Sequence, residues 1–542
     1  MGGAFPMSRG QRVTCSALFV ATFFGAFPHP LGHTVVDLGW VLAWVAPALL
    51  LLAIRGLSPG RAAALGFATG TLANAAVLHW IYVVTVRYGG APVVVGVLAP
   101  LLLATYSGAF YAAFAAGAAA LARQRLASPL ALALLWTAFD HARSFVLTGF
   151  PWATLGYAQH LNCALCGLAA WTGVYGLSFA TLLGSSGLLA LLSPRAREGT
   201  GRRAGALALA GVAALHLAGL WALPAEPGPG APRLRVAVLQ GNIEQGVKWS
   251  PEWAERTLRI YAELTRQAAR QGARVVVWPE TAVPGSPDAA PALSARLGQL
   301  ARETGSVLVV GGVGIDWRGP PRSSAYQLFD SAFVFDATGK PGPRYDKTHL
   351  VPFGEYLPLR GLLGHFIRAI ARGSSALDVH PGVSPHALTL PGAAEDGSAV
   401  TVGVPICYEL IFPDLVRRFV GDGAQLLLAI TNDAWYGRSG APYQFLAMTA
   451  LRSAETGTWI ARAANTGVSA FIDARGRIRE PTRIFERDLR IADVPLRTPG
   501  AKPTFYVRFG DCFAYSCWLG VLGLGLSCAV RARREEPAGE DA

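Results

Sequence analysis

Charged side chains are scarce in this sequence. They make up 15% of the 542 residues, whereas hydrophobic residues make up 52% and the mean hydropathy is +0.36. Soluble globular domains carry about 25% charged residues. The composition therefore excludes an ordinary soluble enzyme of this length and predicts several membrane-spanning helices.

Signals for metal and nucleotide cofactors are also missing. His29 and His33 have the i, i+4 spacing of a helical ligand pair, but Pro30 and Gly32 lie between them. The other histidines have no cysteine at ligand spacing, and no glycine fingerprint of a phosphate-binding loop follows a predicted strand. We therefore expect no metal and no nucleotide cofactor.

The net charge of +13 is high, but most basic residues are arginines in short clusters between apolar runs. Such clusters are typical of membrane topology signals, whereas a nucleic-acid-binding protein concentrates basic charge on one surface. We therefore expect the bilayer, and no nucleic acid, as a partner.

Cysteine is scarce in the polar half of the chain. Six of the seven cysteines lie in or beside apolar runs: Cys15, Cys163, Cys166, Cys512, Cys517 and Cys528. Cys407 alone lies in the polar half, so that half cannot form an internal disulfide. A solitary cysteine in a large domain is a candidate nucleophile, and a buried inert thiol is the alternative.

Apolar runs predict eight membrane spans, near 13–28, 36–54, 62–86, 91–121, 128–148, 164–192, 204–223 and 512–530. Every second joint between these runs is rich in arginine. By the positive-inside rule, both termini are then cytoplasmic and the polar half lies outside the cytoplasm. A Pro/Gly-rich stretch at 225–232 marks a domain boundary. We predict a membrane domain with seven helices at 1–224, an extracytoplasmic catalytic domain at 225–505, and a last helix with an acidic cytoplasmic tail at 506–542.

Three ionisable residues, Asp140, His141 and Arg143, lie inside or near the end of the fifth predicted span. Ionisable groups at membrane depth are costly, so they pair with one another or face a cavity. Two interpretations follow: an Asp–Arg pair that ties helices together, or a contact with a phospholipid headgroup or a lipoprotein.

The polar half alternates β-branched runs with segments of helical periodicity. Strands are predicted at 234–239, 275–278, 307–313, 327–335, 400–406, 425–430, 469–473 and 486–493, and helices at 252–271 and 290–303. This alternation predicts a layered α/β domain with helices packed outside its sheets.

Chemically active side chains stand in three segments of the polar half. TVGVPICYEL brings Cys407 to the end of a strand, RVVVWPETAVP carries Glu280, and RYDKTHLVPFGEY carries Lys347 and Glu355. Glu280 is the candidate base, because a carboxylate sheltered beside Trp278 accepts a proton more readily than a solvated one. A surface or helix-capping glutamate is the alternative.

Lys347 is the candidate cation of the site. The chain has only four lysines but abundant arginine, which favours a role for this lysine as a compact point charge. It would stabilise the thiolate and, together with the backbone N–H of Tyr408, the oxyanion. A simple surface lysine is the alternative.

These segments resemble the nitrilase superfamily, whose members carry a Glu–Lys–Cys triad. The whole chain is similar to the apolipoprotein N-acyltransferases through six blocks in the order of that family: FVLTGFPWATLGYAQ, VLQGNIEQGVKW, WPETAVP, YDKTHLVPFGEY, ICYE and NDAWYG. The resemblance implies an α-helical polytopic membrane domain joined to an α-β-β-α sandwich, with Cys407, Glu280 and Lys347 as the triad.

The same resemblance assigns supporting roles to four further residues. It implies that Glu355 and Glu409 are needed for activity, with Glu355 orienting the lysine or holding the triad in register. It also implies that Trp249 and Tyr408 line the substrate pocket. Packing in the core is the alternative for Trp249.

The reaction that the resemblance implies has two steps and needs no cofactor. Cys407 takes a fatty acyl group from a membrane phospholipid as a thioester, and the α-amino group of a diacylglyceryl-cysteine apolipoprotein then accepts it. The catalytic domain would lie on the periplasmic side of a bacterial inner membrane. Two alternatives stay open: a membrane-anchored amidase or hydrolase of the same superfamily, and a non-catalytic lipid or lipoprotein carrier.

The segment 359–372, LRGLLGHFIRAIAR, is predicted to form a lid at the membrane surface. Its apolar residues recur at helical spacing on one face, and its basic residues fall on another. An ordinary helix packed on the sandwich is the alternative.

Overall fold

The structure, a computed structural model, describes residues 7–32, 34–192, 200–223, 230–248, 250–319, 326–358 and 379–535. His33, Trp249 and the predicted lid at 359–372 lie outside the described residues. The chain divides into two compact units. The first comprises Met1–Trp80, Val97–Leu223 and Phe509–Ala542, and the second comprises Ile81–Gly96 and Pro224–Arg508.

The first unit is built from apolar helices. In chain order they are α1 (Arg9–Gly25), α2 (Gly39–Ile54), α3 (Pro59–Val77), α4 (Val93–Arg123), α5 (Pro129–Ala142), α6 (Cys163–Cys166), α7 (Ala169–Thr172), α8 (Val174–Leu192), α9 (Thr200–Ala222) and the C-terminal helix Cys512–Glu535. A short antiparallel hairpin of β1 (His29–Leu31) and β2 (Thr34–Val36) lies between α1 and α2.

Four of the described helices are long and apolar enough to cross a membrane: Val93–Arg123, Val174–Leu192, Gly201–Ala222 and Cys512–Arg534. The helices in the other predicted spans are shorter or, in α3, less apolar, so the count of eight stays a prediction. The run at 62–86 is interrupted, because α3 ends at Val77 and a π-helical turn, Val83–Tyr88, follows within the second unit. Arg87 ends the apolar pattern there, and Gly90 adopts a left-handed φ of 63°, which stops a helix.

The ionisable residues of α5 are buried and have partners within the first unit. Asp140 lies 3.5 Å from Arg143 and accepts hydrogen bonds from the Trp136 indole at 3.0 Å and from the Leu155 backbone at 3.3 Å. Arg143 also donates to the carbonyl oxygen of Trp152. These contacts hold the end of α5 to the segment that follows it, while the interpretation of an Asp–Arg pair that ties helices together stays a prediction.

His141 connects α5 to the C-terminal helix. Its Nδ1 accepts a hydrogen bond from the Trp518 indole at 3.3 Å, so its Nε2 carries a proton and faces the carboxylate of Asp511 at 3.4 Å. Polar pairs of this kind hold membrane helices together where water is absent.

The second unit contains two six-stranded sheets. The first sheet has the order β14-β3-β4-β5-β6-β7, formed by β3 (Arg233–Gln240), β4 (Val275–Val277), β5 (Val307–Trp317), β6 (Tyr326–Phe335), β7 (Pro341–Asp346) and β14 (Asp488–Pro495). The second has the order β13-β12-β11-β10-β9-β8, formed by β8 (Leu388–Leu390), β9 (Val400–Gly403), β10 (Leu426–Thr431), β11 (Ile460–Ala464), β12 (Ala470–Ile472) and β13 (Ile478–Arg479).

The central strands of both sheets are parallel: β3 to β4 and β4 to β5 in one, β9 to β10 and β10 to β11 in the other. Parallel neighbours end at the same edge of a sheet. Glu280 follows β4, while Cys407 and Asn432 follow β9 and β10. The functional side chains therefore lie on the segments that follow the carboxyl ends of the central strands.

Helices pack outside each sheet. Tyr261 of α10 (Pro251–Arg270) stacks on Trp278 with ring centroids 4.9 Å apart, and α11 (Pro291–Thr304) joins the same core. On the other sheet lie α12 (Pro413–Gly421) and α13 (Ala441–Thr456), whose Phe445 packs beneath the Arg462 guanidinium of β11. Between the sheets, Ser469 donates to Gln240 of β3 at 2.9 Å. The predicted layered α/β architecture is confirmed.

Candidate active site

Cys407 begins a 3-10 helix soon after the end of β9. Ile406 still bridges Ile430 of β10 in parallel register, and the 3-10 helix Cys407–Ile411 follows. The φ of Cys407 is 47°, a left-handed conformation that costs a residue with a side chain about 1–2 kcal/mol. Neighbouring hydrogen bonds must therefore hold this turn in place.

Glu409 supplies those hydrogen bonds and links the Cys407 turn to the Lys347 segment. Its buried carboxylate accepts from the backbone N–H of Ile406 at 2.8 Å, the hydroxyl of Tyr345 at 2.7 Å, and the N–H and hydroxyl of Thr348 at 2.7 and 2.8 Å. Burial raises the pKa of Glu409, and the hydrogen bonds offset this rise only in part. With its hydrogen bonds directed at the scaffold, Glu409 is placed to position the nucleophile relative to the lysine.

Glu280 is held two residues beyond the buried Trp278, at the edge where β4 ends. One carboxylate oxygen accepts from the backbone N–H of Asn432 at 2.7 Å, and the other lies 3.3 Å from the Nζ of Lys347. Burial opposes ionisation, but the Lys347 ammonium and hydrogen bonds from Asp330 and Cys407 outweigh it, so the pKa of Glu280 lies below its usual range. Glu280 is therefore an ionised carboxylate close to the candidate nucleophile.

Lys347 follows β7 and is completely buried. Its Nζ lies 3.3 Å from Glu280 and 3.4 Å from Asp330, and it also donates to Glu355. Burial alone would lower the pKa of Lys347, but the three carboxyl groups raise it well above its usual value. The site thus contains a permanent ammonium beside the candidate base.

The Cys407 thiol is protonated in the resting site. Burial and the nearby Glu280 carboxylate raise the pKa of Cys407 well above its usual value, and Lys347 lowers it by less. A neutral thiol is a poor nucleophile, so reaction requires a base in contact with it. Glu280 is the carboxylate whose charge acts most strongly on this thiol.

The structure brings four of the seven predicted site residues, Cys407, Glu280, Lys347 and Glu355, into one connected cluster. Glu355 is fixed on its other oxygen by the backbone N–H of Val351 at 2.8 Å. Glu409 lies one layer outside this cluster.

Tyr408 is buried and packs against aromatic neighbours. Its ring lies edge-to-face on Phe412 with centroids 5.2 Å apart, and 5.7 Å from the ring of His349. Trp249 lies outside the described residues. The pocket-lining roles of Tyr408 and Trp249 stay predictions.

A second buried lysine, Lys248, lies beside the base and was given no role from the sequence. Its Nζ donates to the hydroxyl of Thr281 at 2.6 Å and to the carbonyl oxygen of Glu280 at 3.3 Å. Thr281 has a φ of 47°, an unusual conformation for a β-branched residue, and the lysine bridges the turn at that point. Burial lowers the pKa of Lys248 to about 8, although Glu280 pulls in the opposite direction. The scarcity of lysine was the sequence signal that could have found it.

Asp330 of β6 was also missed by the sequence analysis. Its backbone oxygen accepts from the N–H of Lys347 at 2.9 Å, so strand pairing places its side chain beside the ammonium. Oxygens of Glu280, Asp330 and Glu355 lie within 4.8 Å of one another, which would suit a metal ion. Lys347 contacts all three carboxyl groups and takes the place of such a cation.

Comparison with known proteins agrees with this geometry. A family model described as carbon-nitrogen hydrolase matches residues 235–502, and one described as apolipoprotein N-acyltransferase N-terminal domain matches residues 18–187. The apolipoprotein N-acyltransferase of Geobacter metallireducens is 39% identical over 507 residues, which cover 91% of either chain. The chain belongs to the apolipoprotein N-acyltransferase family.

Two further members of this family support the assignment over nearly the full length. The apolipoprotein N-acyltransferase of Pseudomonas syringae pv. tomato is 36% identical and covers 84% of this chain and 86% of its own. That of Nitrosomonas europaea is 34% identical and covers 97% and 98%. A solved structure of the Nesterenkonia AN1 amidase, from the nitrilase superfamily, aligns at 21% identity with a TM-score of 0.38 over 54% of this chain and 98% of the amidase.

Family membership identifies the chain as an acyltransferase whose α/β unit has the nitrilase-superfamily fold. The family assignment drawn from the six sequence blocks is confirmed. The hydrolase and carrier alternatives receive no support from these comparisons.

Proposed function

We propose that this chain transfers a fatty acyl group from a membrane phospholipid to the N-terminal α-amino group of diacylglyceryl-cysteine apolipoproteins, through a thioester on Cys407. The observation that carries the proposal is the cluster in which the buried Cys407 thiol lies close to Glu280, which itself lies 3.3 Å from the Lys347 ammonium. The names of the relatives support an apolipoprotein as acceptor.

The first half-reaction forms the thioester. Glu280 takes the thiol proton while the sulfur of Cys407 attacks the ester carbonyl carbon of the phospholipid. Lys347 and the Tyr408 N–H stabilise the negative charge that develops on the carbonyl oxygen. The ester C–O bond then breaks, and the leaving lysophospholipid oxygen takes the proton back from Glu280.

The second half-reaction transfers the acyl group to nitrogen. The neutral α-amine of the apolipoprotein attacks the thioester carbonyl carbon and gives one proton to Glu280. The C–S bond breaks, the sulfur of Cys407 takes that proton, and the amide product leaves. The resting thiol and the Glu280 carboxylate are restored, so one base serves both steps.

We expect purified protein in phosphatidylethanolamine vesicles with labelled acyl chains to become labelled through a thioester that hydroxylamine cleaves. A synthetic peptide that begins with diacylglyceryl-cysteine should then remove the label and appear as the N-acylated product. The matched control is the same peptide with an acetylated α-amine, which should leave the thioester in place.

Two outcomes of this assay would contradict the proposal. Labelled free fatty acid as the main product in the presence of the free-amine peptide would identify a hydrolase. N-acylated peptide without any labelled protein would exclude the thioester route.

The membrane arrangement is a further part of the proposal: eight spans in a bacterial inner membrane, cytoplasmic termini and a periplasmic catalytic unit. The four long apolar helices support it, and α1, α2, α3 and α5 occupy the remaining predicted runs. Arginine in every second joint supports the orientation.

Reporter fusions test this orientation. Alkaline phosphatase fused after Gly230 should be active, because this enzyme folds only outside the cytoplasm. A green fluorescent protein fused at the same position should be dark. Fusions after Arg534 should give the reverse result. The opposite pair of results at either position would overturn the proposed topology.

A further inference from the structure

The acidic cluster around Lys347 holds more negative charge than one ammonium can balance. Lys347 contacts Glu280, Asp330 and Glu355, whose oxygens lie within 4.8 Å of one another. The three side chains are largely buried. Like charges at such distances in a buried site do not all ionise, so at least one carboxyl group keeps its proton.

The other charges near the cluster do not remove this excess. The Cys407 thiol adds no positive charge, and Lys248 donates to the carbonyl oxygen of Glu280 and to Thr281. Because burial lowers the pKa of Lys248 to about 8, a smaller fraction of this lysine is positively charged above neutral pH.

Hydrogen bonding shows which carboxyl group holds the proton at the least cost. Glu280 accepts from the N–H of Asn432 at 2.7 Å, and Glu355 accepts from the N–H of Val351 at 2.8 Å. Backbone donors of this kind stabilise the ionised form. Within the described parts of the chain, the Oδ1 of Asp330 has no hydrogen-bond partner. Oxygens of Asp330 and Glu280 lie within 4.8 Å of one another, and a proton on Asp330 allows its carboxyl group to donate toward the Glu280 carboxylate.

We propose that Asp330 is a positioning residue that stays neutral and donates its proton to Glu280, keeping that carboxylate ionised and directed at Cys407. This inference rests on the proposed function for its meaning, but its chemistry concerns the resting site. Burial and the neighbouring Glu280 raise the pKa of Asp330 well above its usual value, in agreement with the geometry. An asparagine at this position could also donate a hydrogen bond to Glu280, because its amide N–H donates without carrying charge.

The pH dependence of Cys407 alkylation by iodoacetamide, followed by mass spectrometry at this residue, tests the proposal without any lipid substrate. Asp330→Asn should keep the wild-type rate within about threefold and leave the acid limb of the profile in place. Asp330→Ala removes the donor, so the pKa of Glu280 should rise, the acid limb should move up by about one unit, and alkylation should slow by up to about tenfold on that limb, with little change near neutral pH.

Infrared difference spectra give a second readout. At pH 8, wild type minus Asp330→Asn should show the carbonyl band of a protonated carboxylic acid. Asp336→Asn is the matched control, because this partly exposed aspartate lies just after the same strand and its pKa is lowered by hydrogen bonds that outweigh its slight burial. Its difference spectrum should lack the band, and its alkylation should match wild type.

Several results would overturn the proposal. A loss of more than tenfold in Asp330→Asn would mean that Asp330 acts as an anion, and so would the absence of the infrared band. An unchanged rate and acid limb in Asp330→Ala would mean that it positions nothing. A different outcome separates this inference from the proposed function. If alkylation and the infrared spectra agree with the expectations above but the wild-type protein transfers no acyl group, the proposed function is wrong and the protonated state of Asp330 is still supported.

Discussion

Cys407→Ala is expected to abolish both the acyl-enzyme and the N-acylated product, lowering transfer by about 10⁴-fold or more, the scale expected when a nucleophile is lost. No other described side chain offers a thiol in this part of the molecule, because the remaining six cysteines all lie in the first unit. The measurement is labelled acyl group on the protein and on the acceptor peptide, in the vesicle assay described above.

The control for this variant must separate lost chemistry from lost structure. Cys407→Ser keeps the volume of the side chain in its left-handed turn, so it should fold with a wild-type melting temperature. Its hydroxyl is a far weaker nucleophile at the same base, so transfer should still be lost. Cys517→Ala, in the C-terminal helix, should label normally. A labelled Cys407→Ala protein, or transfer within tenfold of wild type, would show that the thioester forms elsewhere.

Much of the α/β unit follows from local sequence patterns. The strand predicted at 307–313 extends over Val307–Trp317, and the helix predicted at 290–303 spans Pro291–Thr304. These elements carry strong apolar periodicity and are bounded by turn residues, which is the information that sequence patterns contain. The short strands Pro341–Asp346 and Leu388–Leu390 were missed because they are held mainly by pairing with neighbours, which no local pattern records.

The site was predicted in part for a related reason. Cys407 and Glu280 stand out because each follows an apolar run, Lys347 stands out because lysine is scarce, and all three lie in motif blocks. Asp330 lies within β6, where one polar residue among apolar ones has no signature of its own, and only its pairing with the Lys347 segment brings it to the ammonium. Lys248 lies next to Trp249 and far from Glu280 in the chain, so its bridge across the Thr281 turn depends on tertiary structure.

The membrane unit shows the limit of composition as a guide. Hydropathy locates apolar runs but does not show where a helix stops inside one. The run at 62–86 overlaps both α3 and the turn Val83–Tyr88, and this turn packs on the 3-10 helix Asp433–Tyr436 of the same unit, with the rings of Tyr88 and Trp435 6.0 Å apart. The assignment of this turn to the second unit depends on tertiary contacts, and mean hydropathy over a sequence window carries no information about such contacts.

Loss of either charged member of the triad should reduce transfer by about 10²-fold or more. Glu280→Gln keeps an acceptor for the Asn432 N–H but cannot take the Cys407 proton, so the thiol with its raised pKa should stay neutral. Lys347→Ala removes the ammonium that holds the pKa of Glu280 low and that faces the developing oxyanion.

The pH dependence separates these two variants. In wild type the pKa of Glu280 lies below the usual glutamate value of about 4.3, so the base is ionised and the alkylation of Cys407 should show no acid limb above about pH 5. Without Lys347 the pKa of Glu280 should rise, because burial then goes unopposed by the ammonium, and the acid limb should move toward neutral pH. Glu280→Gln should show no limb from this group at all.

Matched controls and the order of the two steps complete the test. Lys340→Ala, at an exposed position of the same β6–β7 hairpin, and Glu303→Gln, an exposed glutamate at the end of α11, should transfer acyl groups normally. Removing Lys347 also leaves buried carboxyl groups without a counter-charge, so the melting temperature of the Lys347→Ala variant must be measured. If that variant unfolds, the test of the triad rests on Glu280→Gln.

Activity near wild type in Glu280→Gln would disprove the role of Glu280 as base. A Glu280→Gln protein that forms the thioester at the normal rate but does not acylate the peptide would confine that role to the second half-reaction, where the attacking amine must lose its proton.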